Sequence, residues 1–375
     1  MNFKLIRKKT LLTGILGLCI LSACEESKED PIPVTPPPPG TTEFSPNVGG
    51  PQQPNHAFID LNTKSQFSSA RNSWDIALSN GPEFRVTLNF SNGVLVRRLN
   101  QSLLDSVKRV DWTAFSSQLD ISALLNAGIQ NPTPPWLNGS PAWIDNPNGR
   151  LDSTAIPEIS PANANNFVFL MNRGSNPDGT SRGMVLIKIN RESNGYIVQV
   201  ADTAATVSGI RTYTYTKQGS SGFGYMSLSN GNTSSVFPAT WHLCFTFFTT
   251  LSGPQGPGSL PVIPYRFSDY VILNTAETQG YQQDTSVIKY ADFDYSDIEN
   301  NRLVNNRLLI GSGWRSISQF GSTPPSIRAN RYWIIRSNDA SSPAGARYFK
   351  LRFISLLNTQ GERGYPKFEL IELKP

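Results

Sequence analysis

Residues 347–373, RYFKLRFISLLNTQGERGYPKFELIEL, constrain the fold more than any other stretch. Phe349, Leu351 and Phe353 alternate with Lys350 and Arg352, the two-residue period of a half-buried strand. Asn358 to Gly361, with Gly364 beyond, supplies turn chemistry, because glycine reaches positive φ without steric cost. Residues 368–373 alternate again, with a slip at Leu370-Ile371 that reads as a bulge. A hairpin alone is marginally stable. The chain must therefore supply a larger sheet, of which this hairpin is the edge or lid.

Strand patterns for that sheet recur at a fixed spacing. AFIDLN at 57–62 precedes SWDIAL at 73–78, and GYMSLS at 224–229 precedes TWHLCF at 240–245. Phe58 to Tyr225 and Trp74 to Trp241 both span 167 positions, and Phe167 to Tyr332 spans 165. Self-similarity at one offset predicts two homologous units, at about 56–215 and 216–375. Trp74, Ile76 and Leu78 would share one strand face. Charged residues are only 16 %, too few for long solvated helices, and connections rich in Pro, Gly and Asn suit strands. The reading is an all-β fold of mainly antiparallel sheets. Two helices are expected, a short one at 102–107 and one at 121–128 with Ser122 as N-cap and Gly128 as stop.

The N-terminus reads as an address. Lys4, Arg7, Lys8 and Lys9 precede an apolar run at 11–21, too short to span a bilayer as a mature helix. That run ends in Leu21-Ser22-Ala23-Cys24. The arrangement resembles the lipobox of bacterial lipoproteins, which implies a signal peptide at 1–23 and lipidation of Cys24. Lipid chains then anchor the protein. An acidic run follows, then a Pro-rich stretch, and residues 24–55 are expected as a disordered linker. Without the four leader cations the net charge of +5 falls to about +1, so nucleic acid is not an expected partner. Only Cys244 remains beyond Cys24, so no intramolecular disulfide holds the fold.

The tryptophan strand NSWDIAL at 72–78, followed by FRVTLN at 84–89, resembles the opening motif of HmuY-like lipoproteins. YFKLRF at 348–353 with GERGYPKFE at 361–369 resembles their closing hairpin. The acidic run after Cys24 resembles the surface-export signal of Bacteroidetes lipoproteins. The resemblance implies an outer-membrane lipoprotein, facing the cell exterior, that captures haem for iron acquisition and passes it to a TonB-dependent outer-membrane receptor. It also implies a pair of axial His or Met ligands in mid-domain. Here the chain departs, with no His or Met at 89–166 or at 274–331.

Haem iron accepts His, Met, Cys or Tyr. The candidates are His242, Met171, Met226 and Met184, with His56 and Cys244 behind them. His242 replaces Asp75 of the first unit and points away from the face of Trp241, Leu243 and Phe245. Trp112, Trp136, Trp143 and Trp314 lie in Pro/Gly/Ser-rich loops, where they would stack on a porphyrin or sugar, or plug the ends of a sandwich. Asp292, Asp294, Asp297 and Glu299 lack the loop glycine of a calcium site and read as a solvated edge. No G-x-S-x-G, P-loop, G-x-G-x-x-G or H-E-x-x-H occurs. The functional expectation is a binding module without catalysis, for haem, or for a glycan or protein if the haem ligands have been lost.

Overall fold

The computed structural model describes residues 40–203, 209–252, 261–317, 324–342 and 344–375. The expected signal peptide, Cys24 and the Pro-rich stalk lie outside the described residues. Strands β1 (Thr42–Phe44), β2 (Asn55–Asp60), β3 (Ser65–Ala70), β4 (Ile76–Ser79), β5 (Val86–Leu88) and β6 (Leu95–Arg98) come first. Helices α1 (Val110–Ser116) and α2 (Ile121–Gly128) follow, then β7 (Phe169–Asn172), β8 (Met184–Glu192), β9 (Gly195–Asp202) and β10 (Arg211–Thr216). Next come β11 (Phe223–Met226), β12 (Thr233–Ser234), β13 (Leu243–Ser252), β14 (Ile263–Leu273) and β15 (Thr278–Asp284). The chain ends with β16 (Arg315–Ser316), β17 (Ser326–Ile327), β18 (Arg331–Asn338), β19 (Ala346–Leu357) and β20 (Arg363–Leu373).

The fold is all-β and antiparallel, as the alternation predicts. Two five-stranded sheets run β1-β20-β19-β18-β15 and β10-β9-β8-β7-β6. Two four-stranded sheets run β12-β11-β4-β5 and β14-β13-β2-β3. Period two decides which side chains meet. Ala57 and Ile59 of β2 and Leu243 and Phe245 of β13 face a core shared with Trp333, Phe349, Leu351, Phe368 and Leu370. Ile76 and Leu78 of β4 face a second core with Val185, Ile187, Val198 and Val200. The alternate residues, Phe58, Cys244 and Ala77, face away into an aromatic layer that includes Phe90 and Phe237. Each four-stranded sheet is thus covered on both faces, which is why its strands carry apolar residues at consecutive positions. Each large aromatic buried in these cores stabilises by roughly 1.5–3 kcal/mol.

The four-stranded sheets join the two halves of the chain. Cys244 of β13 opposes Phe58 of β2, and Ala77 of β4 opposes Tyr225 of β11. Both partners of the first pair stand 167 positions from their counterparts in the second. β1 extends the second half's five-stranded sheet, whereas β10 extends the first half's.

The structure corrects several expectations. Residues 42–55 are not all linker, because Thr42, Glu43 and Phe44 pair with β20 and Phe44 stacks on Phe368 at 4.9 Å. The closing hairpin is therefore interior to its sheet and not an edge. Leu370 and Ile371 stay in register. Leu370 faces the large core and Ile371 faces the cluster around Tyr290 and Tyr332, so both faces of β20 are covered there. The register shifts fall instead near Ser355. Residues 102–107 form no helix. Leu104 and Val107 are buried, and the Lys188 ammonium binds the Ser102 carbonyl, which holds the segment as irregular chain against β8. The α2 cap is Asp120, whose Oδ1 accepts the Ser122 and Ala123 N–H groups at 2.9 and 3.1 Å.

Candidate functional site

The aromatic layer between the four-stranded sheets opens into a cavity of about 620 Å³. Trp74 precedes β4 and Phe90 follows β5, while Phe223 and Tyr225 come from β11 and Phe248 from β13. Phe237 and Trp241 complete the wall from the segment before β13. The rings fix one another edge-on or stacked. Trp74 meets Phe90 at 5.8 Å and Tyr225 at 5.1 Å, and Tyr225 stacks on Phe237 at 4.9 Å. Such pairs add about 0.5–1.5 kcal/mol each beyond burial and make the wall rigid.

The segment at 144–154 forms another side of the cavity. Asp145 pins it to β5, its carboxylate accepting the Leu88 N–H at 2.6 Å and the Ala155 N–H at 2.9 Å. Burial pushes the Asp145 carboxyl up to about 6, against those two donors and the Arg307 charge. Arg307 reaches beneath this segment. Its guanidinium lies 5.1 Å from the Phe90 ring centre and 5.2 Å from that of Phe248. Residue Arg307 is half-buried because the cavity reaches it, yet the protein around its guanidinium is dense enough that desolvation lowers its pKa. Among the described residues its guanidinium donates no hydrogen bond to protein. The rim is polar, with Asn146, Asn148, Asn274, Thr154 and Arg150.

The structure does not gather the ligands expected from sequence. His242 is buried before β13, and its Nδ1 accepts the Leu61 N–H at 3.1 Å. Desolvation lowers its pKa, against the pull of Asp60 and Asp339. His56 is also buried. It shares a hydrogen bond with Thr246 at 2.9 Å, receives the Trp74 indole N–H at 3.5 Å, and is pushed down to about 3, chiefly by desolvation. Met171 and Met226 are fully buried in the second core, and Met184 packs on the layer over β8. Cys244 is buried and burial raises its thiol. None of these lines the cavity.

The four loop tryptophans pack into the fold and do not line the cavity. Trp112, Trp136 and Trp143 cover one five-stranded sheet together with α2, Trp136 stacking on Trp143 at 6.0 Å. Trp314 is fully buried and donates to the Asp269 carbonyl at 3.0 Å. They plug the fold, because a large apolar ring gains more from burial than from exposure. Asp294 and Asp297 cap a turn reciprocally, and no cluster of metal-ligating side chains occurs among the described residues.

Asp75 and His242, 167 positions apart, make the same kind of contact. Asp75 Oδ2 accepts the Leu228 N–H at 2.8 Å, just as His242 Nδ1 accepts that of Leu61. Asp75 also binds Arg173 and Arg182, each at 2.9 Å, beside a small polar cleft. Trp74 and Trp241 were visible in sequence as strand residues and prove to be cavity wall. Arg307 and Asp145 carried no local signal, since nothing in NNRL or IDNP foretells which loop meets which sheet.

No curated protein matches the chain significantly. Among solved structures, a crystal structure from Bacteroides vulgatus, of a proposed HmuY-like haem-binding protein, covers 88 % of this chain and 91 % of its own. It is 11 % identical with a TM-score of 0.20, and at that similarity it carries no residue over to this chain. The HmuY protein family itself matches residues 52–370, which takes in β2 to β19, most of β20 and the residues lining the cavity, and the chain belongs to that family.

Proposed function

We propose that the protein is a non-catalytic capture lipoprotein, anchored at the outer membrane through Cys24, whose ligand site is the aromatic cavity. The observation that carries this reading is the rigid ring-lined wall of Trp74, Phe90, Tyr225, Phe237 and Trp241 around about 620 Å³. Haem is the ligand expected from the family, with a TonB-dependent receptor as the next partner. The residues present do not fit axial ligation. Both histidines commit their nitrogens to internal partners, the candidate methionines lie outside the cavity lining, and burial keeps the Tyr225 phenol protonated. A ligand seated here is held by its faces and edges. The asparagine-rich rim supports a second reading, an acidic or neutral glycan in the same cavity.

The same view extends to organisation. We read the chain as two copies of one unit that exchange hairpins, with β1 and β10 in equivalent places, which moves the boundary from 216 to just before β10.

The test is a titration of the mature chain, carrying Cys24→Ser to keep it soluble, with haemin. Saturation near one equivalent with quenching of tryptophan fluorescence is expected. Free-haemin spectra and unquenched fluorescence throughout would remove haem as the ligand.

A further inference from the structure

We infer that the cavity recognises its ligand through a carboxylate carried by a ring system, seated on Arg307, and not through a metal ion. The inference rests on the capture reading and specifies its chemistry.

Among the described residues, Arg307 is the charged cavity residue whose side chain has no hydrogen-bonding partner, although protein desolvates its guanidinium. A guanidinium carries five N–H donors, and taking it from water is costly unless those donors are used. Here the rings of Phe90 and Phe248 lie against it, and ring faces satisfy charge but no in-plane donor. The nearby acid does not serve as its partner. Asp145 turns one oxygen to the Leu88 N–H and the other to the Ala155 N–H. The other titratable groups acting on Arg307 are Cys244, Tyr225 and Tyr270, all held neutral by burial. The guanidinium therefore faces a space in which a carboxylate could accept two parallel N–H bonds.

The rest of the lining suits what such a carboxylate would be attached to. Trp74, Tyr225, Phe237 and Trp241 offer apolar faces, and the rim offers amides. No His, Met or Cys lines the space, and burial holds the one haem-ligand type that does, the Tyr225 phenol, in its neutral form, so a metal at the ring centre would find no favoured ligand there. A metal-free tetrapyrrole and a uronic-acid sugar share this chemistry, a ring bearing a carboxylate.

The experiment titrates the Cys24→Ser chain with haemin, with protoporphyrin IX and with a glucuronate-containing disaccharide, reading tryptophan fluorescence and, for the porphyrins, the Soret band. Haemin and protoporphyrin IX should bind within about threefold of each other. Arg307→Gln should weaken both at least tenfold, and Arg307→Lys should recover part of the loss. Asn148→Trp, at the exposed rim, should block entry without altering the circular dichroism, and it serves should Arg307→Gln fold poorly. Binding of the disaccharide alone, lost in Arg307→Gln, would reject haem while supporting the carboxylate seat. Binding of haemin with no binding of protoporphyrin IX would overturn the inference and leave haem capture standing. Porphyrin affinity unchanged in Arg307→Gln would overturn it too, as would no binding of any probe.

Discussion

Replacing Asp75 by Asn isolates the charge that ties the second core to the polar cleft. The Asp75 side chain is fully buried, and Arg173 and Arg182 are 12 % and 7 % exposed, each 2.9 Å from the carboxylate. Asn keeps the volume and can still accept the Leu228 N–H, so packing and the backbone bond survive. What is lost is the negative charge facing two cations. Breaking a buried pair by removing one partner costs about 3–5 kcal/mol. The residual exposure of both arginines lets water recover part of this, so about 3 kcal/mol is expected. For a chain of this length that is about 6 °C in Tm, at roughly 2 °C per kcal/mol. Asp75→Ala should cost about 1–2 kcal/mol more, since the Leu228 N–H is then unsatisfied as well. Urea unfolding followed by circular dichroism and tryptophan fluorescence measures both, with an unchanged m-value confirming that the compared states are the same. An Asn variant within 1 kcal/mol of the parent would refute the argument, and would mean that the arginines find solvent as readily as they find Asp75.

His242→Ala should destabilise by about 1–3 kcal/mol, the cost of leaving the Leu61 N–H buried without an acceptor, while any porphyrin spectrum stays as in the parent. A shifted Soret band would instead restore His242 as a ligand. The pH dependence should show His56. Its folded pKa, about 3, is below the unfolded value of 6.5, so the unfolded chain binds the extra proton and stability is lost as pH falls from 6.5 toward 3. The full loss is at most about 5 kcal/mol at 1.36 kcal/mol per unit. Asp145 acts in the opposite sense and destabilises the fold as pH rises from 3.8 to about 6. Urea midpoints from pH 7 to pH 4 should therefore fall less steeply in His56→Gln than in the parent, and equal slopes would count against a buried neutral imidazole.

The strand class was legible because alternation is local. Residues 349–353 and 368–373 state their faces within six positions, and β19 and β20 form there. At the 167-residue offset, the pairing of Cys244 with Phe58 has its like in the pairing of Ala77 with Tyr225. What alternation does not reveal is whether a polar face meets water or another layer. For this reason the closing hairpin reads as an edge although β1, from a stretch with no pattern of its own, pairs along it. The helix expected at 102–107 failed for a related reason. Its apolar residues find burial as irregular chain beneath a lysine from β8, a tertiary contact that outweighs a weak local preference.

The site was illegible for a more specific reason, and the two tryptophans show it. Trp74 and Trp241 announce equivalent strands, and equivalence suggests equivalent surroundings. Yet the residues before β4 and β13 differ in what their neighbours demand. After Trp74 stands Asp75, which answers two arginines. After Trp241 stands His242, which answers the Leu61 N–H and the Asn62 side chain beside Asp60. The histidine that attracts attention as a metal ligand is thus the structural counterpart of an aspartate, and its chemistry is spent on holding a turn. Conversely, Arg307, which lines the cavity and donates no hydrogen bond to protein among the described residues, comes from a loop and not from one of the matched strands. A ligand site built where matched strands meet unmatched loops cannot be found by asking which residues repeat. It is found by asking which charge lining the cavity has no hydrogen-bonding partner, and among the described residues that charge is Arg307.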